Sequence, residues 1–336
     1  MKIDTGLHGD LADAAEIARR AEAAGYDGLF GAEIAHDPFL PIALAAQATT
    51  RIELGTGIAV AFARNPMTLA VIAHDLQRLS EGRFHLGVGS QIKPHITKRF
   101  SMPWSKPAAR MREMVLAIRA IWDSWNNGTP LAFRGDFYQH TLMTPFFNPG
   151  PNPHGDAKIF LAGVGELMTE VAGEVCDGFI CHGFTTERYL REVTIPALLR
   201  GRAKAGKSDL EGFEIVGPSF VVTGTSEKDL DAAAAGTRQQ IAFYGSTPSY
   251  KPVLELHGWG GLQDELNTMS KSGKWVEMGN LIDDEILNTF AVVGEPERIA
   301  PELHRRYGDV IQRISFYAPY KSDPERWSRV LADMKG

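Results

Sequence analysis

Glu33, His36 and Asp37 stand close together in GAEIAHDPF, directly after the apolar run 26–32. An imidazole takes up or releases a proton near neutral pH, and a carboxylate beside it sets the orientation of the ring. His36 is therefore the first candidate for moving a proton, with Glu33 orienting it or holding a bound group instead. His36 also suits a plain position at a helix start beside Asp37-Pro38. Two glycine turns follow other apolar runs: LGVGSQ, with Gly87 and Gly89, and LAGVGE, with Gly163 and Gly165. In the second, a strand delivers the backbone to a helix start, where free N–H groups and the positive dipole end favour an anionic phosphate. The same glycines fit a tight strand-to-helix turn, and Gly87 and Gly89 fit relief of crowding inside a sheet. His182, after the apolar run 178–181, is a second candidate for proton transfer or substrate contact. Lys93 and His95 suit a phosphate or a substrate anion, while Phe62, Trp104 and Trp259 suit either pocket walls or core. His140 and His257 have no ligand partners at useful spacing, so no metal is expected.

Such residues act together only if the chain brings them to one place. Short runs rich in Ile, Val, Leu and Phe alternate with helical patterns from end to end, which argues for parallel βαβ construction. The spacing predicts strands over 2–7, 26–32, 52–58, 83–88, 158–162, 178–181, 214–222 and 311–317. Helices are predicted over 39–49, 67–80, 108–125, 166–176, 186–205 and 227–244, with another after Asp10 that stops at Gly25. Pro296 falls in the first turn of a further helix, and 323–334 reads as the last one. Eight strands with helices between them make an α/β chain of the (β/α)8 TIM-barrel class, in which residues just after each strand share one mouth. The expected organisation is a single barrel domain over 1–336, with insertions at about 89–107, 128–156 and 245–288. The second of these alternates around Arg134-Gly135-Asp136 as a hairpin would.

Composition removes several classes of function. Of 336 residues, 44% are hydrophobic and 23% charged, which is enough apolar material for a large core. The net charge of −6 is spread along the chain without a basic block, so nucleic acid is not an expected partner. Only Cys176 and Cys181 occur, both in apolar stretches, which points to reduced, buried thiols and a cytoplasmic setting. No apolar run reaches membrane-spanning length and MKIDTGLHGD lacks the pattern of a signal peptide, so no membrane partner is expected either.

The run LGTGIAVAFARNPMTLAVIAHDLQRLSEGRFHLGVG resembles the third-to-fourth-strand core of the luciferase-like flavin and deazaflavin oxidoreductases. GYDGLFGAEIAHDPF, LAGVGELMTEVAGEVCDGF and FAVVGEPERIAPELHRRYG are similar to that family's second strand, phosphate loop and late helix. Within the family the chain most resembles the branch that depends on coenzyme F420, a deazaflavin. The resemblance implies a non-prolyl cis peptide at Gly57-Ile58 behind the cofactor ring, and cofactor contacts from Gly89, Ser90 and Gln91. It implies further contacts from Ala162, Gly163, Val164, Gly165 and Glu166, and a homodimer. Phe62, His95, Trp104 and His182 would then meet a small organic substrate that exchanges hydride with the deazaflavin. The chain departs from the family's sugar-phosphate dehydrogenases, which carry Asp-His after strand two and a Glu beyond the LGVG turn. Here those positions read Glu33-Ile34 and Ile92, which argues against a sugar phosphate. An FMN-dependent monooxygenase is the nearest rival, and a non-catalytic binding subunit is another. Arg64, Lys93, Lys98 and Arg99 favour the deazaflavin, whose glutamyl tail is anionic, and the glycine turns speak against a merely structural subunit.

Overall fold

A computed structural model describes residues 1–322 and 324–336. Its strands are β1 (Lys2–Gly6), β2 (Gly28–Gly31), β3 (Glu53–Thr56), β4 (Ala59–Val60), β5 (Phe84–Gly89), β6 (Phe133–Arg134), β7 (Gln139–His140), β8 (Lys158–Gly163), β9 (Gly178–Cys181), β10 (Glu214–Thr223), β11 (Ala291–Gly294) and β12 (Arg313–Tyr317). In the main sheet the order β10-β12-β1-β2-β3-β5-β8-β9 returns to β10, which closes eight parallel strands into the barrel that the alternation of apolar runs implies. β4 adds to β5 beyond the end of β3, β11 lies along the second half of β10, and β6 pairs only with β7, antiparallel. Both β4 and β11 are additions to the expected series. The expected first residue of the last helix, Asp323, lies outside the described residues; the helix is seen over Pro324–Lys335.

The helices begin and end where local chemistry dictates. Asp10 accepts a hydrogen bond from the Ala12 amide at the first turn, and Gly25, with φ 93°, stops the helix Ala14–Ala24 in the left-handed region. Asn65 and Thr68 exchange hydrogen bonds as a capping box ahead of Pro66, which sits at the first position of the helix Pro66–Leu79. The helical stretch expected over 186–205 is interrupted by a wide turn at Leu190–Thr194.

Chain packing divides the molecule into two units. One comprises residues 4–180 and 197–214. Its core is built from Leu29, Leu54, Phe84, Leu86 and Phe160 on the strands, with Trp122 and Trp125 from the helix Pro107–Asn127. Trp122 Nε1 donates to the Ala70 carbonyl, which satisfies its one polar atom inside that core. The helices Glu166–Val175 and Ile195–Lys204 approach closely at two glycines: a Cβ on Gly173 would come within 2.2 Å of the Leu198 carbonyl oxygen, and one on Gly201 within 2.0 Å of that of Glu170. Glu113 on the helix Pro107–Asn127 accepts hydrogen bonds from the amides of Asp136, Phe137 and Tyr138, so one carboxylate holds the β6-β7 turn.

The other unit comprises residues 1–3, 181–196 and 215–336. β10 carries it: Val216 to Phe220 pair with Arg313 to Tyr317, and Phe220 to Thr223 pair with Ala291 to Gly294. The segment expected as an insertion over 245–288 folds into short helices that send Val253, Leu254, Leu266, Met278, Ile282 and Ile286 into this unit's core, beside Phe184, Phe220 and Phe290. It is thus part of the packed interior in addition to any cover it provides. Cys176 and Cys181 are free and buried, and burial pushes the Cys181 thiol up to about 12, as expected of structural cysteines.

Candidate active site

The larger set of expected site residues gathers at the carboxyl ends of β2, β3, β5 and β8, all within the unit of residues 4–180 and 197–214. Parallel pairing aligns these ends: Gly31 lies opposite Thr56, Val60 opposite Gly89, and Gly89 opposite Ala162. The peptide Gly57-Ile58 is cis, at the position that the resemblance implies. Around it the backbone is tied on both sides. The Gly57 amide donates to Gly31 O at 2.7 Å, the Glu33 amide donates to Ile58 O at 3.0 Å, and the Thr56 hydroxyl donates to Gly87 O at 2.6 Å. A Cβ on Gly87 would lie 1.8 Å from Thr56 O, so only glycine permits this contact.

Glu33 belongs to the same tie. Its Oε2 accepts from the Val60 amide at 2.7 Å and from Arg64 Nη1 at 2.6 Å, and its side chain is only 7% exposed. Arg64 also donates to Val60 O, pairs with Asp37 at 3.3 Å and lies over the Phe39 ring. The carboxylate expected to orient His36 therefore braces the segment after the cis peptide instead, and no hydrogen bond joins Glu33 to His36. Asp37 accepts from the amides of Phe39 and Leu40 and so caps the helix Phe39–Ala48. His36 lies in the bend just ahead of that cap, exposed. Arg99 donates to Ile34 O at 2.6 Å and so joins the 89–107 loop to this bend.

At the next strand end, the Ser90 hydroxyl donates to Gln91 O, and Gln91 takes a positive φ of 60° while its own side chain accepts from the Ile92 amide. Gly163 and Gly165 differ in what they permit. A Cβ on Gly163 would meet Met168 Cγ at 2.9 Å, so this glycine serves the packing of the helix Glu166–Val175 on β8. A Cβ on Gly165, at the helix cap, would meet nothing within 4 Å. Open space thus adjoins a helix start whose first-turn amides have no intrahelical partner. Val164 forms the link between the two glycines, and Glu166 pairs with Arg200 at 2.5 Å.

Among the expected substrate contacts, Phe62 is wholly buried, with the Arg110 guanidinium 4.5 Å above its ring and Trp104 edge-on at 5.7 Å. It supports Trp104, which is half-buried, and presents no surface of its own. His95 is exposed on the wide turn His95–Arg99. Arg110, which the sequence reading did not single out, donates to Pro103 O and to the Tyr138 hydroxyl and so anchors the far end of the 89–107 loop. Its helical spacing marks it only as one more polar face residue, because both partners are brought by folding.

His182 lies in the second unit, stacked on Tyr250 and edge-on to Tyr244. Burial pushes its imidazole down to about 4. The same unit holds a polar cleft of about 430 Å³ between Thr186, Arg191, His257 and Arg306. Its arginines are spent on carboxylates: Arg188 on Glu192, Arg191 on Asp309, and Arg305 and Arg306 on Glu302. The cleft therefore offers no surplus charge.

The family model described as luciferase-like monooxygenase matches residues 2–313, and the chain belongs to that family. A Mycobacterium tuberculosis protein without an assigned activity is 54% identical over 94% of this chain and 92% of its own. The 5,10-methylenetetrahydromethanopterin reductase of Archaeoglobus fulgidus is 28% identical over 80% of this chain and 74% of its own. Among solved structures, the coenzyme F420-dependent tetrahydromethanopterin reductase of Methanopyrus kandleri superposes with a TM-score of 0.78 at 18% identity, covering 99% of this chain and 96% of that one. An F420-dependent secondary alcohol dehydrogenase with an F420-acetone adduct gives 0.76 at 20% identity, over 100% and 99%. The oxygenating constituent of 3,6-diketocamphane monooxygenase from Pseudomonas putida, in complex with FMN, gives 0.68 at 16%, over 98% and 96%. Among the described residues, no helix is long and apolar enough to cross a membrane.

Proposed function

We propose that the chain is an oxidoreductase that exchanges hydride between the deazaflavin coenzyme F420 and a small organic substrate. The observation that carries this reading is the convergence of the segment after β3 braced by Glu33 and Arg64, the Gly89-Ser90-Gln91 turn and the open helix start at Gly165 on neighbouring strand ends. These residues fit such a group. The uncrowded first-turn amides beyond Gly165 suit a phosphate, and Ser90 and Gln91 supply hydroxyl and amide groups beside it. When bound, the deazaflavin accepts or supplies two electrons and a hydrogen as hydride at a ring carbon.

The chain's own residues do the rest. Glu33 and Arg64 hold the segment after Ile58 in place, and Ile58 packs within 3.0 Å of where a Cβ on Gly89 would stand. His36 takes the hydroxyl proton when an alcohol is oxidised and returns one in the reverse direction. Lys93 and Lys98, both exposed and without a carboxylate within salt-bridge distance among the described residues, suit an anionic tail. The chain's similarity to a methylenetetrahydromethanopterin reductase and to two F420-dependent structures supports the same reading. The FMN-bound neighbour keeps an FMN monooxygenase as the rival. We also propose a homodimer through the helices Phe39–Ala48 and Pro66–Leu79, which leave Leu40, Leu44, Val71 and Leu79 exposed.

Titrating the chain with F420 and with FMN while following fluorescence separates the readings. Micromolar binding of F420, with its absorbance bleached or restored by a panel of alcohols and activated alkenes, is the expected result. Tight binding of FMN alone, with oxygen consumed, overturns it.

A further inference from the structure

We propose that the rings of His182, Tyr244, Tyr250 and Tyr317 form the wall of a binding site for a neutral, planar organic molecule bearing a carbonyl or hydroxyl oxygen. The four come from separate places in one unit. His182 directly follows β9, Tyr317 ends β12, Tyr244 lies near the end of the helix Glu227–Gly245, and Tyr250 ends the short turn Pro248–Tyr250. Their geometry is specific: His182 stacks on Tyr250 with centroids 4.5 Å apart and meets Tyr244 edge-on at 4.7 Å, while the hydroxyls of Tyr244 and Tyr317 lie 2.8 Å apart. Beneath them Phe184 and Phe220 are fully buried and pack on Tyr250 and Tyr317. A Cβ on Gly183 would stand 3.1 Å from the Tyr317 ring, so the glycine lets that ring lie against the chain.

The rings of this cluster carry hydrogen-bond donors that the protein itself does not use. His182 Nδ1 accepts from the Phe184 amide at 3.0 Å, which places the proton of the neutral ring on Nε2, and no described residue accepts it. Tyr244 and Tyr317 share one hydrogen bond, which uses one of their two hydroxyl protons. The Tyr250 hydroxyl has no hydrogen-bond partner among the described residues. Three donors are thus unspent, on side chains that are all half-buried and so still reachable. Half-buried, these donors meet solvent in the free protein, and a ligand oxygen takes the place of that water when it binds.

The same residues decide the charge of that ligand. Burial holds His182 down to about 4 and Tyr250 up to about 12, so the wall stays neutral near pH 7. None of the ring contacts in the cluster involves a charged side chain. An ion would lose hydration here without compensation, whereas a flat ring gains stacking and one oxygen gains a donor. Phe243 and Trp275, exposed and 5.9 Å apart, continue the aromatic surface outward from Tyr244.

Calorimetric titration of the whole chain with 2-acetonaphthone, naphthalene and 2-naphthoate tests the proposal. The ketone is expected to bind saturably and the carboxylate about tenfold more weakly or worse. His182→Phe, which keeps the stacking ring and removes the donor, should weaken the ketone about fivefold and leave naphthalene unchanged. Tyr250→Ala should weaken both; if that variant fails to fold, Tyr250→Phe, which deletes only the hydroxyl, should weaken the ketone alone. Equal binding of ketone and carboxylate, or ketone affinity unmoved by these changes, overturns it. No redox cofactor enters the test, so a chain that binds the ketone but neither oxidises nor reduces F420 keeps this inference and loses the hydride-transfer reading.

Discussion

His36 and His182 show how differently one residue type is prepared by its surroundings. His36 is exposed beside the Asp37 cap, where solvent reaches its ring. Replacing it with Ala should leave F420 affinity nearly intact and lower turnover by about 100-fold or more in steady-state assays; unchanged turnover would remove it from the mechanism. His182 is held neutral by burial, with its pKa lowered from 6.5 to about 4. The unfolded chain binds this proton first as pH falls, so the folded state is fully favoured above about 6.5 and loses stability down to about 4. Urea midpoints measured across that window should fall by the equivalent of about 2–3 kcal/mol in the native chain relative to His182→Phe. Parallel curves would refute the assignment. Glu33→Gln should cost about 1–3 kcal/mol, because Arg64 loses its better-buried partner; a denaturant titration reads this directly.

At the scale of elements, the eight barrel strands were legible because each is a short apolar run closed by glycine, proline or a polar turn, and the turns put Gly89, Gly163 and Gly165 at strand ends. What stayed hidden depends on pairing. The run 290–293 reads as apolar, but its partner exists only because β10 is ten residues long and outruns β12. The brace from Glu33 to Val60 and Arg64 joins residues that no helical or strand period connects. The tyrosines around His182 are likewise scattered through the last third of the chain. The cis peptide was accessible only through family resemblance, since nothing in Gly57-Ile58 itself demands it. Gly165 and Gly163, equivalent as letters, now separate. Gly165→Val should fold normally, since its side chain meets nothing, and should weaken F420 binding about tenfold by filling the space beside the free amides. Unaltered affinity in a fluorescence titration would move the phosphate elsewhere.

For the whole molecule, the proposed homodimer makes a separate demand. Introducing charge with Leu40→Glu and Val71→Glu should leave the circular dichroism unchanged and shift sedimentation to the monomer; an unshifted boundary would release those helices from any such role. The closed strand order also imposes a timetable. β1 is made long before β12, which is one of its two neighbours in the sheet. At about 5–20 residues per second, a ribosome leaves that flank of β1 unpaired for tens of seconds before residues 313–317 emerge. Newly made chains must therefore pass through a stage with two raw sheet edges, the stage at which a chaperone that shields such edges would act.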